Sequence, residues 1–346
     1  MLKAAKQNVL GIAKRSGALN LFMRSGFRNN RLLILAYHGV ALDDEHEWNS
    51  SLFVSEEFLC RRFELLRENG CTVLPLGEAI ERLYSGSLPE RAVAITFDDG
   101  GYNFYAKALP VISDFRFPVT VYLTTFYSVF NRPVFPVAAD YLLWKGRNVT
   151  LDLSRSIGSG TIADLSDYRE RRSAQREIVN WANERALSAE EKDGLLAKIA
   201  DQLSIDYEDF CKGRAMSLMD QNEVSAISGQ GIDVQLHTHR HRVPFEREKF
   251  LSEINENSDI IQSMTRERPT HFCYPSGEYS EILFPWLQEA GVDSATTCDT
   301  ALVGTNTNPF LIPRLVDTMP LSDVEFEGWL SGASHFLPQR STAMNA

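Results

Sequence analysis

The hydrophobic residues of this chain come in short unbroken runs that alternate with longer stretches of helical period. "RLLILAYHGV" (residues 31–40) is a continuous apolar run ending in a His and a Gly, and "AVAITF" (92–97) is another. Runs of this length without alternation are the pattern of strands buried on both faces. Between them, residues 55–70 place Phe58, Leu59, Phe63, Leu65 and Leu66 at helical spacing, with Ser55 to cap the start and Gly70 to end it. "CTVLPL" predicts a short strand, "LGEAIERLYSG" a helix closed by Gly86, "YAKALPVISDF" a helix despite Pro110, and "PVTVYLTT" (118–125) a strand. The rhythm then breaks. Residues from about 131 to 214 are more polar and carry long helical patterns such as "SDYRERRSAQREIVNWANERAL", which predicts a helical insertion rather than an independent domain. Alternation resumes with "GIDVQL", the helical "REKFLSEINENSDIIQSM", and the strand-like "THFCYP", "VDSATT" and "FLIPRLV". Strands alternating with helices, about eight of each, predict an α/β fold on a parallel sheet, either open or closed into a barrel.

Composition narrows the partners. The 346 residues are 44% hydrophobic and 23% charged, ordinary for a globular protein, and the net charge of −11 argues against nucleic acid as the main partner. Five cysteines form no CxxC pair, so they read as reduced thiols rather than a disulfide framework. The first 30 residues stand apart as a basic amphipathic segment, with residues 31–346 as the main domain. No acid occurs before Asp43, while Lys3, Lys6, Lys14, Arg15, Arg24, Arg28 and Arg31 are basic and apolar residues are interspersed. No apolar run has the usual length of a secretory signal or of a membrane span. The expected location is therefore the cytoplasm. Two readings of the basic segment stand side by side: peripheral contact with an anionic membrane at its inner face, or a helix packed on its own domain.

The candidate chemistry sits just past the predicted strand ends. His38 follows "LILAY", Asp98 and Asp99 follow "AVAITF", and His237, Thr238, His239 and His241 follow "DVQL". Tyr274, Pro275, Ser276 and Gly277 follow "HFC", and Arg314 lies in "LIPRLV". In parallel α/β barrels these ends open onto one face, where active sites are built. Two adjacent carboxylates behind an apolar strand repel each other and need a compensating cation, Arg or helix N-terminus. A carboxylate plus two imidazoles is a common divalent-metal set, and a second carboxylate beside such an ion stays ionised and can take a proton from water.

"TFDDG", "HTHRH" and "FCYPSG", in that order, resemble the polysaccharide deacetylases, the family homologous to chitooligosaccharide deacetylase. The resemblance covers roughly residues 31–316, interrupted by the insertion. "AYHGV", Cys273 where many members have Arg, and the late "IPRL" look like the subgroup of poly-N-acetylglucosamine deacetylases. The resemblance implies an irregular (β/α) barrel and metal-dependent removal of N-acetyl groups from an amino-sugar glycan. It implies Asp99, His237 and His241 as ligands of one divalent ion, with Zn²⁺ the expected metal, and Asp98 as general base. Thr238 would stand behind the ligands, and Ser276 and Tyr274 of the "YPSG" turn would serve the oxyanion and substrate. The late catalytic His usual in the family is absent from "FLIPRLVDT"; the resemblance to the subgroup, where a His of the early "YH" motif supplies the acid, implies His38 as the candidate general acid, with Arg314 the candidate for orienting Asp98 in place of the missing Arg. O-deacetylation, hydrolysis of a small non-sugar amide and an inactive glycan-binding relative are the alternatives. An intact base beside a metal set weighs against the last.

Overall fold

The structure, a computed structural model, describes residues 2–337. Eight parallel strands make the central sheet: β1 (Leu33–Tyr37), β2 (Thr72–Val73), β3 (Ala92–Phe97), β4 (Thr120–Leu123), β5 (Asp233–Leu236), β6 (His271–Cys273), β7 (Ser294–Thr296) and β8 (Leu315–Val316). They are ordered β7-β6-β5-β4-β3-β1-β8, with β2 paired to β3 off this path. The two ends of the row meet. Thr296 bridges Ile312, just ahead of β8, in parallel, and Thr297 N donates to Ile312 O at 2.9 Å. The sheet thus closes into an irregular barrel, the one of the two forms left open by the strand–helix alternation that the resemblance implies. Every residue of β1 and β3 is buried, the reason both read as unbroken apolar runs.

Local signals place the helices. Ser55 Oγ accepts from Phe58 N at the start of a helix over Glu56–Glu68, and Gly70 leaves it at φ +60°, where a side chain is disfavoured. The helix Leu76–Tyr84 lays Ala79, Ile80 and Leu83 against Leu32, Ile34, Ala92 and Ala94. The helix expected around Pro110 is divided: a wide π turn over Phe104–Ala108 leads into Leu109–Phe115. Pro110 then falls in a first turn, where its missing N–H costs no hydrogen bond.

The chain divides into two compact units. The barrel unit takes residues up to Gly100, then Phe104–Thr125 and everything described from Gln221 on; the other takes Gly101–Asn103 and Phe126–Asp220. The second unit is mainly helical, with Phe135–Lys145, Tyr168–Glu184 and Ala189–Gln202 enclosing Leu142, Ile178, Leu196 and Ile199. A capping box of Ser188 and Glu191 starts the third of these helices.

In the barrel unit, α1 (Leu2–Arg15) lies against α2 (Asp323–Ser331). Gln7 donates to Glu325, Lys14 pairs with Glu327 at 2.5 Å, and Leu10 is buried. One face of the basic segment therefore packs on its own domain. No helix among the described residues is long and apolar enough to cross a membrane.

Candidate metal centre and its carboxylate pair

The turn after β3 separates the two carboxylates. Asp99 and Gly100 both have left-handed backbone (φ +69° and +78°), and Gly100 N donates to Asp98 O at 2.9 Å. A side chain at Gly100 would bring its Cβ to 2.2 Å from Leu123 Cδ1, so the turn needs Gly there. Asp98 points into the barrel and is buried, while Asp99 turns towards the loop after β5. The repulsion that the sequence poses is thus relieved by giving each carboxylate its own partner.

Asp98 meets Arg314. Nη1 donates to Oδ1 and Nη2 to Oδ2, both at 2.7 Å, a two-pronged pair with both side chains buried. The rest of the guanidinium is also engaged: Nε donates to Thr297 O, Nη1 to Thr96 Oγ1 and Nη2 to Cys273 Sγ. Burial pushes the Asp98 pKa up, and Arg314 more than reverses this, holding it below the ordinary carboxylate value. Cys273 Sγ lies 3.7 Å from Asp98 Oδ2, and burial raises the thiol well above its usual pKa, so it stands there as a neutral group. His38 Nε2 lies 3.9 Å from the same oxygen, beyond hydrogen-bond reach, with its side chain 22% exposed.

Asp99 meets two imidazoles. His237 Nε2 and His241 Nε2 each lie 3.2 Å from Asp99 Oδ1, and the three candidate ligand atoms fall within 4.8 Å of one another. His237 Nδ1 is 2.8 Å from Cys273 O. A carbonyl only accepts, so Nδ1 carries the proton, and in the neutral ring Nε2 presents a lone pair. That lone pair faces a carboxylate oxygen which is buried and makes no hydrogen bond. Two acceptors facing each other at this distance require a cation, either a proton or a metal ion. Burial alone would lower the His241 pKa, and Asp99 beside it reverses this and raises it. Asp99, His237 and His241 thus form a group that can hold a metal ion.

The loops carrying this group are strained. Asp99, Thr238, His241 and Ser276 all have positive φ without being Gly. Such backbone persists only where surrounding contacts over-determine it. Ser276 is exposed in the turn after β6, which Gly277 N and Glu278 N close onto Tyr274 O and Pro275 O. Tyr274 requires a correction as a substrate-contacting residue: its ring is fully buried and its hydroxyl donates to Phe310 O at 3.1 Å. Tyr279 is the exposed aromatic of that turn, its hydroxyl donating to Asp299. Tyr37 is likewise buried, bonded to Asp317.

The sequence reading passed over a second row of residues. From α3 (Arg247–Thr265), Glu253 and Asn257 reach the backbone of the "HTHRH" loop. The signal was present: both are polar on the stripe that also carries Phe250, Ile254 and Ile261, where an apolar residue is expected.

Comparison with known proteins agrees with this geometry. Residues 196–295 match the family profile described as polysaccharide deacetylase, a stretch that includes His237, His241, Tyr274 and Ser276. Over 100 residues the chain is 31% identical to the poly-β-1,6-N-acetyl-D-glucosamine N-deacetylase of Escherichia coli (strain K12). The match takes 29% of this chain and spans only 15% of the length of that relative. The deacetylase PplD of Streptococcus pyogenes, solved in complex with acetate, superposes with a TM-score of 0.56 at 15% identity, over 87% of this chain and 97% of that one. IcaB from Ammonifex degensii gives 0.54 at 15% identity, over 88% and 98%. At such identities the two structures speak for the fold alone, and the sequence matches concern about 100 residues. Residues 196–295 are thus similar to the polysaccharide deacetylases, and the closed barrel has the fold of these two solved structures.

Proposed function

We propose that the chain is a metal-dependent de-N-acetylase acting on a glycan that contains N-acetylated amino sugar. The observation that carries this reading is the pairing of two differently partnered carboxylates on one turn, Asp99 against two imidazoles and Asp98 against Arg314. Asp99, His237 and His241 would hold the ion. A divalent ion such as Zn²⁺ at that position makes water more acidic and polarises an acetyl carbonyl.

The chain's own groups do the rest. Asp98, kept ionised by Arg314, takes the proton of the attacking water. His38, close to Asp98 and partly open to solvent, gives a proton to the departing amine. The turn at Ser276 offers backbone N–H to the oxygen that gains charge. Each proton transfer of this kind contributes about 10²–10⁴ in rate. Acetate release from N-acetylglucosamine oligosaccharides, with and without a chelator and with an O-acetylated glycan beside them, tests the reading. No acetate from any N-acetylated glycan by metal-loaded protein would refute it.

A lipid-linked or nascent glycan would be met at an anionic membrane surface, and α1 with its neighbour Ala18–Met23 is the contact we propose. Arg28 is buried and donates to Leu330 O, Arg31 O and Ala92 O, and Lys14 is paired, so these two add little to the attraction. Arg15 and Arg24 stand exposed beside exposed Val9, Ile12, Leu21 and Phe22. The contact therefore depends on apolar side chains as well as charge. Sedimentation with anionic vesicles, comparing the full chain with an Ile12→Ser, Leu21→Ser, Phe22→Ser variant, tests it. Equal sedimentation of the two would remove the membrane contact and leave the deacetylase reading untouched.

A further inference from the structure

The metal-ligand loop has almost no regular structure of its own. Between the end of β5 at Leu236 and the start of α3 at Arg247, two of its residues, Thr238 and His241, have left-handed backbone. Something outside the loop must fix the direction of His237 and His241.

Asn257 of α3 is fully buried and sits where three segments meet. Its Oδ1 accepts from His237 N at 2.9 Å. Its Nδ2 donates to Leu123 O at the end of β4 (2.9 Å) and to Thr125 Oγ1 (3.1 Å). Thr125 Oγ1 in turn lies 2.9 Å from His239 Nδ1. The residue between, Thr124, bonds both sides of the ligand group: its N–H donates to Asp99 O (3.2 Å) and its Oγ1 to His237 O (3.1 Å). The backbone of Asp99 is thus tied to the end of β4, and Asn257 ties the end of β4 to the backbone of His237. One turn earlier on α3, Glu253 accepts from Arg240 N (2.7 Å), Arg240 Nη1 and Arg242 Nε, and its carbonyl accepts from His239 N. The loop segment leading into His241 is held from the same helix.

We propose that Asn257 is a positioning residue for the metal centre: it sets the spacing between Asp99 and His237 through the end of β4, with Glu253 doing the same for His241. The proposal rests on the reading of Asp99, His237 and His241 as ligands. An amide is needed at Asn257 because it must accept at one atom and donate twice at the other, to partners buried on three segments. Asp has the same shape and keeps the acceptor for His237 N, yet sets a carboxylate oxygen against Leu123 O. Groups of this kind behind metal ligands change affinity about 10–100-fold when removed.

The test is Co²⁺ and Zn²⁺ binding by the full chain, followed by competition with a chromophoric chelator and by the visible absorption of bound Co²⁺. Asn257→Asp is expected to weaken both metals at least tenfold and to change the Co²⁺ spectrum, which reports ligand geometry and is not moved by a loss of global stability. Glu253→Leu should weaken binding as well, and Glu253→Gln, which retains an acceptor for Arg240 N, should recover most of it. If Asn257→Asp does not fold, Thr125→Val removes the hydroxyl that joins Asn257 to His239 and is expected to shift the same spectrum. Affinity within threefold of the unaltered chain together with an unchanged Co²⁺ spectrum in these variants would overturn the positioning role alone. An unaltered chain with no Co²⁺ site, or one that persists in His237→Ala, would overturn the ligand reading with it.

Discussion

Arg314→Met is the most informative single change. Met roughly keeps the volume and removes both 2.7 Å contacts to Asp98 along with the donors to Thr96, Thr297 and Cys273. Breaking a buried ion pair from one side costs about 3–5 kcal/mol, because the remaining charge is left without a partner. Asp98 can avoid part of that cost by taking a proton, and then no longer serves as a base. The sign of the pH effect follows from the two states. With Arg314 present, the folded-state pKa of Asp98 is depressed, so its stabilisation is present above the unfolded value of about 4 and lost as pH falls through the folded one. Without Arg314 burial is opposed only by the smaller effects of His38 and His237, the pKa rises, and Asp98 destabilises the fold as pH climbs. The stability gap between the two proteins should therefore be wide near pH 7 and narrow steadily as pH falls through about 4 and below, measured by urea unfolding after metal removal. Acetate release at pH 7 should fall by about 10²–10⁴, recovering in part at higher pH. A gap that does not change with pH, or turnover within threefold of the unaltered enzyme, would refute the role given to this pair.

Three further outcomes are expected. His38→Ala should bind metal normally yet lose most turnover, with a smaller loss on acetyl substrates whose leaving groups need no proton; equal loss on both kinds would mark a structural His. Asp317 is buried against Tyr37 and Arg62, and burial raises its pKa to about 6, so its proton stabilises the fold fully below about pH 4 and this is lost as pH rises through 6. Asp317→Asn should abolish up to about 3 kcal/mol of pH dependence between those limits, and thermal unfolding with the same pH dependence as the unaltered chain would count against it. Replacing residues 126–220 by a short linker should spare metal binding and hydrolysis of small substrates while lowering activity on the long glycan; undiminished activity there would show that this unit plays no part in substrate choice.

The sequence by itself determined the strand–helix alternation and the pieces of the site. Buried parallel strands have apolar residues on both faces, so β1 and β3 could be read as runs, and Ser55 and Gly70 mark helix ends through local backbone geometry alone. The "DDG" and "HTHRH" motifs were legible because their residues are close in the chain and chemically unusual after an apolar strand. Tertiary structure decided what long-range contacts decide. Arg314 stands 216 residues from Asp98, and it reaches the carboxylate because β8 pairs with β1, which pairs with β3, the strand that ends at Asp98. Tyr274 follows a strand end and is expected from its motif to serve the substrate, yet packing buries its ring and its hydroxyl donates to Phe310 O. Asn257 shows in the sequence only as a polar residue on an apolar helical stripe; its three partners come from β4, the turn after it and the loop after β5, and no local pattern records that they converge on one side chain.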